Sequence, residues 1–315
     1  MSIIPSTFNR GIQSYTAVGG TERGGSSGVS AVLLNRGARY PRRAFFQELE
    51  KAGFDYVISL EGEEERYDLE ELSGRFPFIR FIFLREKLSA GEMINLAAAE
   101  LSGGLFLTLW NDQKLFNGIT AVKMAEYFTG KRLCTAPVIQ NSRFEPLPTL
   151  TIPLYDRYLK TIQETPEREG HATLFPFDWT GLYDCGRFIR LGGFDGAIST
   201  PYWQLMDFGF RAFLWGEEIR STSLFRFVYN GWEREETDLT VDASYRLFYL
   251  KNLAPVFRGD HAYLPLRRYP SFLVKSGWDI LGSWYEFSHE RAWVKQNASR
   301  FRIDARTLTD HWETP

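Results

Sequence analysis

The chain has 315 residues and a mass of 36.4 kDa, enough to bury a large core as one extended domain or two small ones. Hydrophobic residues make up 44% and charged residues 24%, ordinary values for a globular protein. A net charge of −2 gives the chain as a whole no basis for electrostatic binding to nucleic acid or anionic membrane.

The first 28 residues are rich in Gly, Ser and Thr without a sustained period and read as a flexible arm. Alternating elements follow. A strand is predicted over residues 29–34, a helix over 41–52, and strands over 55–60 and 79–84. Ser89 with Glu92 three residues on is a capping box that opens a helix running to Leu101, which Gly103 and Gly104 terminate. A strand at 105–109, a helix at 118–128 and a strand at 133–139 complete this half. Such alternation implies a mainly parallel sheet with helices on both faces and ligands bound beyond the carboxyl ends of its strands. Glu61 and Asp112 should therefore lie near one edge. No Gly-x-Gly-x-x-Gly follows the first strand, and there is no Walker loop.

From residue 140 the pattern changes. Pro146, Pro148 and Pro153, then Thr165-Pro-Glu-Arg-Glu-Gly170, mark a long irregular excursion. Residues 174–184 read as a strand or hairpin, 219–229 as a strand, 242–253 as a helix, and 271–287 with the polar tail as helical decoration. Between them stands Gly-Gly-Phe-Asp at 192–195, then a helix with Thr200 as N-cap, Pro201 at its first position and Gly216 as its stop. Trp203, Met206, Phe210, Phe213 and Leu214 share a core face; Asp207 and Arg211, four apart on another side, can pair.

Aromatic residues are abundant, with nine Trp, and serve an aromatic core before any stacking surface for sugars or bases. Cys134 and Cys185 lack metal-ligand spacing and read as buried thiols of a reducing compartment. No apolar run approaches the ~20 residues of a membrane span, and the N-terminus has no secretory h-region. The expected location is cytoplasmic, peripheral at most to the inner membrane face.

Gly192-Gly193-Phe194-Asp195, with Asp207, Phe208, Arg211 and Gly216 at their spacing, resembles the acceptor-side motif of GT-A glycosyltransferases, especially the large family-2 group. The resemblance covers roughly residues 28–220. It implies a GT-A-like domain over 29–255, with a nucleotide-binding half at 29–139 and an acceptor half at 140–255, followed by a C-terminal helical extension at 256–315. It implies a nucleoside diphosphate-sugar donor, an unspecified glycan, lipid or protein acceptor, and Mg²⁺ or Mn²⁺ to offset charge on the departing diphosphate.

Asp112 matches the second acid of the family's Asp-x-Asp, with Trp110 at the first; the bland alternative for Asn111-Asp112 is an Asx-type turn. Glu61 matches the carboxylate that meets the nucleotide base, although it opens the acidic run 61–65. Asn35, Arg36, Asn95 and Asn111 complete the expected nucleotide-binding set, with Arg36 toward the diphosphate. His261 matches a third metal ligand, or lies in a surface turn. The motif's Glu-Asp is Gln204-Leu205 here, so Leu205 cannot act as base. Asp195 and Asp207 are the named catalytic candidates, Asp207 more simply pairing with Arg211; an acid of the 140–170 excursion, or the leaving phosphate itself in a retaining reaction, stands beside them. Two other readings stand beside sugar transfer: a catalytically silent sugar-nucleotide binder or interaction protein, and a nucleotidyltransferase.

Overall fold

The computed structural model describes residues 14–21, 24–36, 40–62, 68–115, 118–130, 132–155, 158–229 and 239–313. Residues 1–13 of the expected arm and 63–65 of the acidic run lie outside them.

Four parallel strands form one half of a nine-stranded sheet: β2 (Val29–Leu34), β3 (Val57–Glu61), β4 (Ile79–Leu84) and β5 (Leu105–Trp110). β2 is buried along its whole length, as a strand covered on both faces must be. It pairs with β3 and β5 so that Leu34 stands beside both Leu60 and Trp110. The register brings Asn35, Glu61 and Asn111 to one edge, the expected one. Helices α1 (Arg42–Ala52), α2 (Leu69–Arg75) and α3 (Ala90–Glu100) connect these strands. The capping box of α3 is present: Ser89 Oγ accepts from the Glu92 amide, and Glu92 Oε2 accepts from the Ser89 amide.

The flexible arm is in part a strand. β1 (Tyr15–Gly19) adds antiparallel to β4 and closes that edge, its half-buried Tyr15 and Ala17 packing against the core.

The second half of the sheet holds β6 (Gln113–Leu115), β7 (Cys134–Gln140), β10 (Gly181–Asp184) and β11 (Ile219–Tyr229), in the order β5-β10-β7-β11-β6. β10 runs antiparallel to both of its neighbours, and β7 and β11 are parallel. α4 (Ala121–Tyr127), capped by Thr120, precedes β7. The irregular excursion contains an antiparallel hairpin, β8 (Leu150–Tyr155) with β9 (Leu159–Glu164). Both cysteines are free and buried, and burial pushes the Cys185 thiol up to about 11.

α5 (Cys185–Leu191) leads into the glycine turn, and α6 (Pro201–Leu214) follows. α6 is buried almost all round, so the Asp207–Arg211 side is core as well as the aromatic side. Thr200 does not cap it with its side chain; its hydroxyl donates to Asp242. α7 (Ala243–Phe248), capped by Asp242, continues into a π turn over Tyr249–Leu253. The C-terminal extension opens with a hairpin, β12 (Val256–Arg258) and β13 (His261–Tyr263), before α8 (Tyr269–Lys275), α9 (Ile280–Gln296) and α10 (Ala305–Asp310).

Candidate functional site

An open cleft of about 940 Å³ lies at the carboxyl ends of the parallel strands. Asn35, Arg36, Glu61, Trp110 and Trp179 wall one side, and Gly196, Ser199 and Pro201 contribute from the glycine turn and the start of α6.

Arg36 organises the wall. Its Nε lies 3.0 Å from Asp112 Oδ2 and its Nη2 lies 3.3 Å from Asp112 Oδ1, a forked pair. The other edge of the guanidinium forks onto Asp178, with Nη1 3.3 Å from Oδ1 and a second contact from Nη2 to Oδ2. Below it lies Trp110, whose ring centroid is 4.1 Å from the guanidinium carbon. The indole N–H of Trp110 donates to the Asp178 carbonyl at 2.8 Å, tying β5 to the segment that carries Asp178. Burial works to lower the pKa of Arg36, but the Asp178 carboxylate and then that of Asp112 outweigh it and raise the pKa above its ordinary value.

Asp178 is the residue missed by sequence reasoning. The stretch read as a strand or hairpin is a tight 3₁₀ turn over Phe177–Trp179 before β10. Asp178 and Trp179 have φ of 52° and 57°, the left-handed region that non-glycine residues rarely adopt. This backbone puts the fully buried Asp178 against Arg36 and Trp179 into the cleft. Asp tolerates that conformation better than most residues, which is the only signal the sequence carries.

The other predicted nucleotide-side residues divide. Asn35 Nδ2 donates to the Leu60 carbonyl at 2.7 Å, while its buried Oδ1 accepts nothing among the described residues. Asn111 Oδ1 accepts from the Arg36 amide at 3.3 Å. Glu61 lines the cleft with its carboxylate engaged by Ser59 and by Arg42 Nη2 at 3.3 Å. Asn95 is not at the cleft. It is fully buried in α3, its Nδ2 donating to the Phe194 carbonyl at 2.6 Å and its Oδ1 accepting the Phe194 amide at 2.9 Å. It fixes the glycine turn instead. Gly193, at φ 67°, must be glycine because a Cβ there would collide with Asn95 Oδ1.

Asp207 and Asp195 belong to a polar cluster inside the core. Asp207, fully buried, takes Arg211 Nη2 at 2.8 Å and Nε at 3.2 Å, Asn252 Nδ2 at 2.8 Å, and faces Lys251 Nζ at 3.6 Å. Arg211 also donates to the Leu191 and Gly193 carbonyls, both at 2.7 Å. Burial pushes the Asp207 pKa up, but Lys251 and Arg211 hold it below the ordinary carboxylate value. Both Asp207 oxygens are committed to Arg211, Asn252 and Lys251 and its side chain is wholly out of solvent; the pair with Arg211 is the one that its spacing predicted. Lys251 Nζ lies 2.5 Å from Asp195 Oδ2, so Asp195 is anchored to the same cluster.

Gln204 spends its amide on the loops around it. Its Oε1 accepts the Gly91 amide at 3.2 Å, and its Nε2 faces Ser89 Oγ and the carbonyls of Asp195 and Ile198. A carboxylate could not donate to those carbonyls. Leu205 packs wholly in the core behind them, as its apolar side chain dictates. Among the described residues the acids that line the cleft are Glu61, Glu86 and Glu92.

His261 is elsewhere. It pairs with Asp260 on the β12–β13 turn and lines a separate cavity with Trp284 and Arg291. The described residues contain no group of three His, Cys, Asp or Glu side chains able to hold a metal ion. Where the resemblance implies a divalent ion on Asp112, both oxygens are taken by a guanidinium. The donor set does not fit a resident metal.

No family profile matches the chain, and no curated protein matches it in sequence. Solved structures do match it in fold. GalNAc-T7 with UDP, GalNAc and Mn²⁺ superposes with a TM-score of 0.51 at 12% identity, covering 91% of this chain and 58% of that one. The S. aureus protein TarS superposes with a TM-score of 0.50 at 12% identity, covering 70% of this chain and 38% of that one. The fold is of the GT-A type. The chain thus spans less than two thirds of the length of either neighbour.

Proposed function

We propose that the strand-end cleft binds a nucleoside diphosphate-sugar and that the protein transfers its sugar to an acceptor. The observation that carries this reading is the Arg36 wall: a cation held rigidly at the carboxyl edge of a GT-A-type sheet, where such sheets take their ligands. The cleft is large enough for a sugar nucleotide. Asn35 Oδ1 offers an acceptor to a nucleobase N–H, Arg85 and Lys87, which also line the cleft, offer positive charge to a diphosphate, and Arg36 can exchange part of its bonding to Asp112 for the diphosphate oxygens. The GalNAc-T7 and TarS likeness supports the same assignment, since GalNAc-T7 is solved with UDP. No step is routed through a metal, because the carboxylate expected to hold one is committed to Arg36. Calorimetric titration with UDP- and GDP-sugars, followed by assay of nucleotide release, tests the proposal; absence of binding by every donor defeats it.

One observation favours a second reading, binding without transfer. α6 contributes no carboxylate to the cleft, since Gln204 is a buried amide and Leu205 is core. Tight donor binding with no nucleotide release across an acceptor panel would select it.

A further inference from the structure

Nearly half of the exposed large apolar side chains among the described residues fall between Tyr263 and Tyr285. Six of them fall at the elbow where α8 turns into α9: Val274, Trp278, Ile280, Leu281, Trp284 and Tyr285. Leu281 is 85% exposed, Tyr285 75% and Trp278 67%. Leu281 and Tyr285 stand four apart on α9, with Trp284 beside them. The opposite stripe, Ser283, Phe287, Glu290 and Val294, is buried. The core therefore has its own face of α9, and the apolar elbow is surplus to it.

The elbow is rigidly displayed. Tyr269 places its ring edge-on to Trp284 at 5.0 Å, and its hydroxyl lies 3.1 Å from the Ile280 carbonyl and 3.2 Å from Ser283 Oγ. Phe272 and Phe287 fill the space beneath. Trp278 has φ of 67°, a conformation costly for a bulky residue, and the ring gains little packing in exchange.

The surroundings are basic although the whole chain is slightly acidic. From 263 to 285 the charges are Arg267, Arg268 and Lys275 against Asp279 alone, and Asp279 is spent capping α9 through the Gly282 amide. Arg267, Arg268 and Lys275 are all exposed. Trp and Tyr with aliphatic residues between them, in a stretch that carries three exposed cations and ends where Glu286 is already paired with Arg246, suit the boundary between acyl chains and anionic headgroups. A second copy of the chain suits it less: a two-fold contact is self-facing and would oppose one basic rim to another. No described helix is long and apolar enough to cross a membrane.

We infer that the α8–α9 elbow is a peripheral docking surface for an anionic lipid bilayer, with Trp278, Leu281, Trp284 and Tyr285 entering the interface and Arg267, Arg268 and Lys275 meeting the headgroups. The test is co-sedimentation of the full chain with phosphatidylcholine vesicles, with and without about one-third phosphatidylglycerol. The full chain pellets with the anionic vesicles, less with the neutral ones, and less as salt is raised. Leu281→Asp weakens binding about tenfold or more, as does the Arg267→Glu, Arg268→Glu pair, with melting temperatures unchanged because all three side chains are exposed. Absence of pelleting with either vesicle overturns the inference, and so does equal pelleting of the variants. A concentration-dependent dimer in sedimentation velocity, lost in Leu281→Asp and accompanied by no vesicle binding, overturns it in favour of a second copy.

Discussion

Two charge clusters of nearly the same chemistry sit in different surroundings. In the cleft wall, Arg36 lies between Asp112 and Asp178; in the core, Lys251 and Arg211 lie around Asp207 and Asp195. Arg36 and Asp112 keep 17% and 27% of their side chains in water, enough for a ligand to reach them. Asp207 and Arg211 keep none. A buried pair holds a fold in place, and breaking it leaves a charge without an answer. A pair at the lip of a cleft can exchange part of its bonding for a ligand's oxygens. Sequence spacing alone does not separate the two cases, since Asp207 sits in the motif and Asp178 does not.

The largest effect should come from the core. Asp207→Asn takes the carboxylate away from Arg211 and leaves Lys251 with Asp195, and is expected to cost about 3–5 kcal/mol in urea denaturation. The pH dependence has a defined sign. The Asp207 pKa is depressed, so its contribution is complete above the ordinary carboxylate value near 4 and lost as pH falls through the depressed one. The Lys251 pKa is raised, with burial lowering it and Asp195 and Asp207 more than compensating. That contribution is present below about pH 10 and lost as pH rises through the raised value. The stability gap between wild type and Asp207→Asn should be flat between these limits and shrink below about pH 4. A gap that peaks in acid would contradict the assignment.

At the cleft, Arg36→Lys keeps the charge and removes the fork. Affinity for UDP- or GDP-sugars should fall about 10- to 100-fold by calorimetry, the worth of charged hydrogen bonds. Unchanged affinity would mean that the diphosphate lies elsewhere. Gln204→Glu restores a carboxylate at the family position. It should bring no turnover and destabilise by about 1–3 kcal/mol, because the Asp195 and Ile198 carbonyls lose their donor. A gain in nucleotide release would show that the position is still aimed at chemistry.

The smallest effect belongs to Asp112→Ala. Its pair with Arg36 is partly exposed and Asp178 keeps Arg36 neutralised, so stability should change by less than about 1 kcal/mol. Donor affinity should be the same with Mn²⁺ as with EDTA in both proteins. An Mn²⁺-dependent affinity that vanishes in Asp112→Ala would instead make Asp112 a metal ligand and displace Arg36 from its role.

Most of the sheet is legible in the sequence because β2 to β5 are short apolar runs, with a capping box opening the helix between β4 and β5. The edge that gathers Asn35, Glu61 and Asn111 follows from that alternation. What escapes depends on tertiary pairing. Tyr15–Gly19 lies in a Gly-rich stretch whose strand character comes from β4. Asn95 looks like a ligand group until Phe194 takes both its amide atoms. Asp178 is invisible because its position comes from a left-handed turn that no glycine announces.

That turn bears on how the protein is made. Arg36 and its buried partner Asp178 are 142 residues apart in the chain, and Trp179 closes the wall with them. During synthesis the first four parallel strands emerge long before Asp178 and Trp179, so a partly made chain presents Arg36 and Asp112 without the backbone that holds them. β10 must then insert, reversed, between β5 and β7, a long-range pairing that folds slowly. A fragment ending at residue 139 would carry every residue that the sequence assigns to the nucleotide and still lack a finished place to put one.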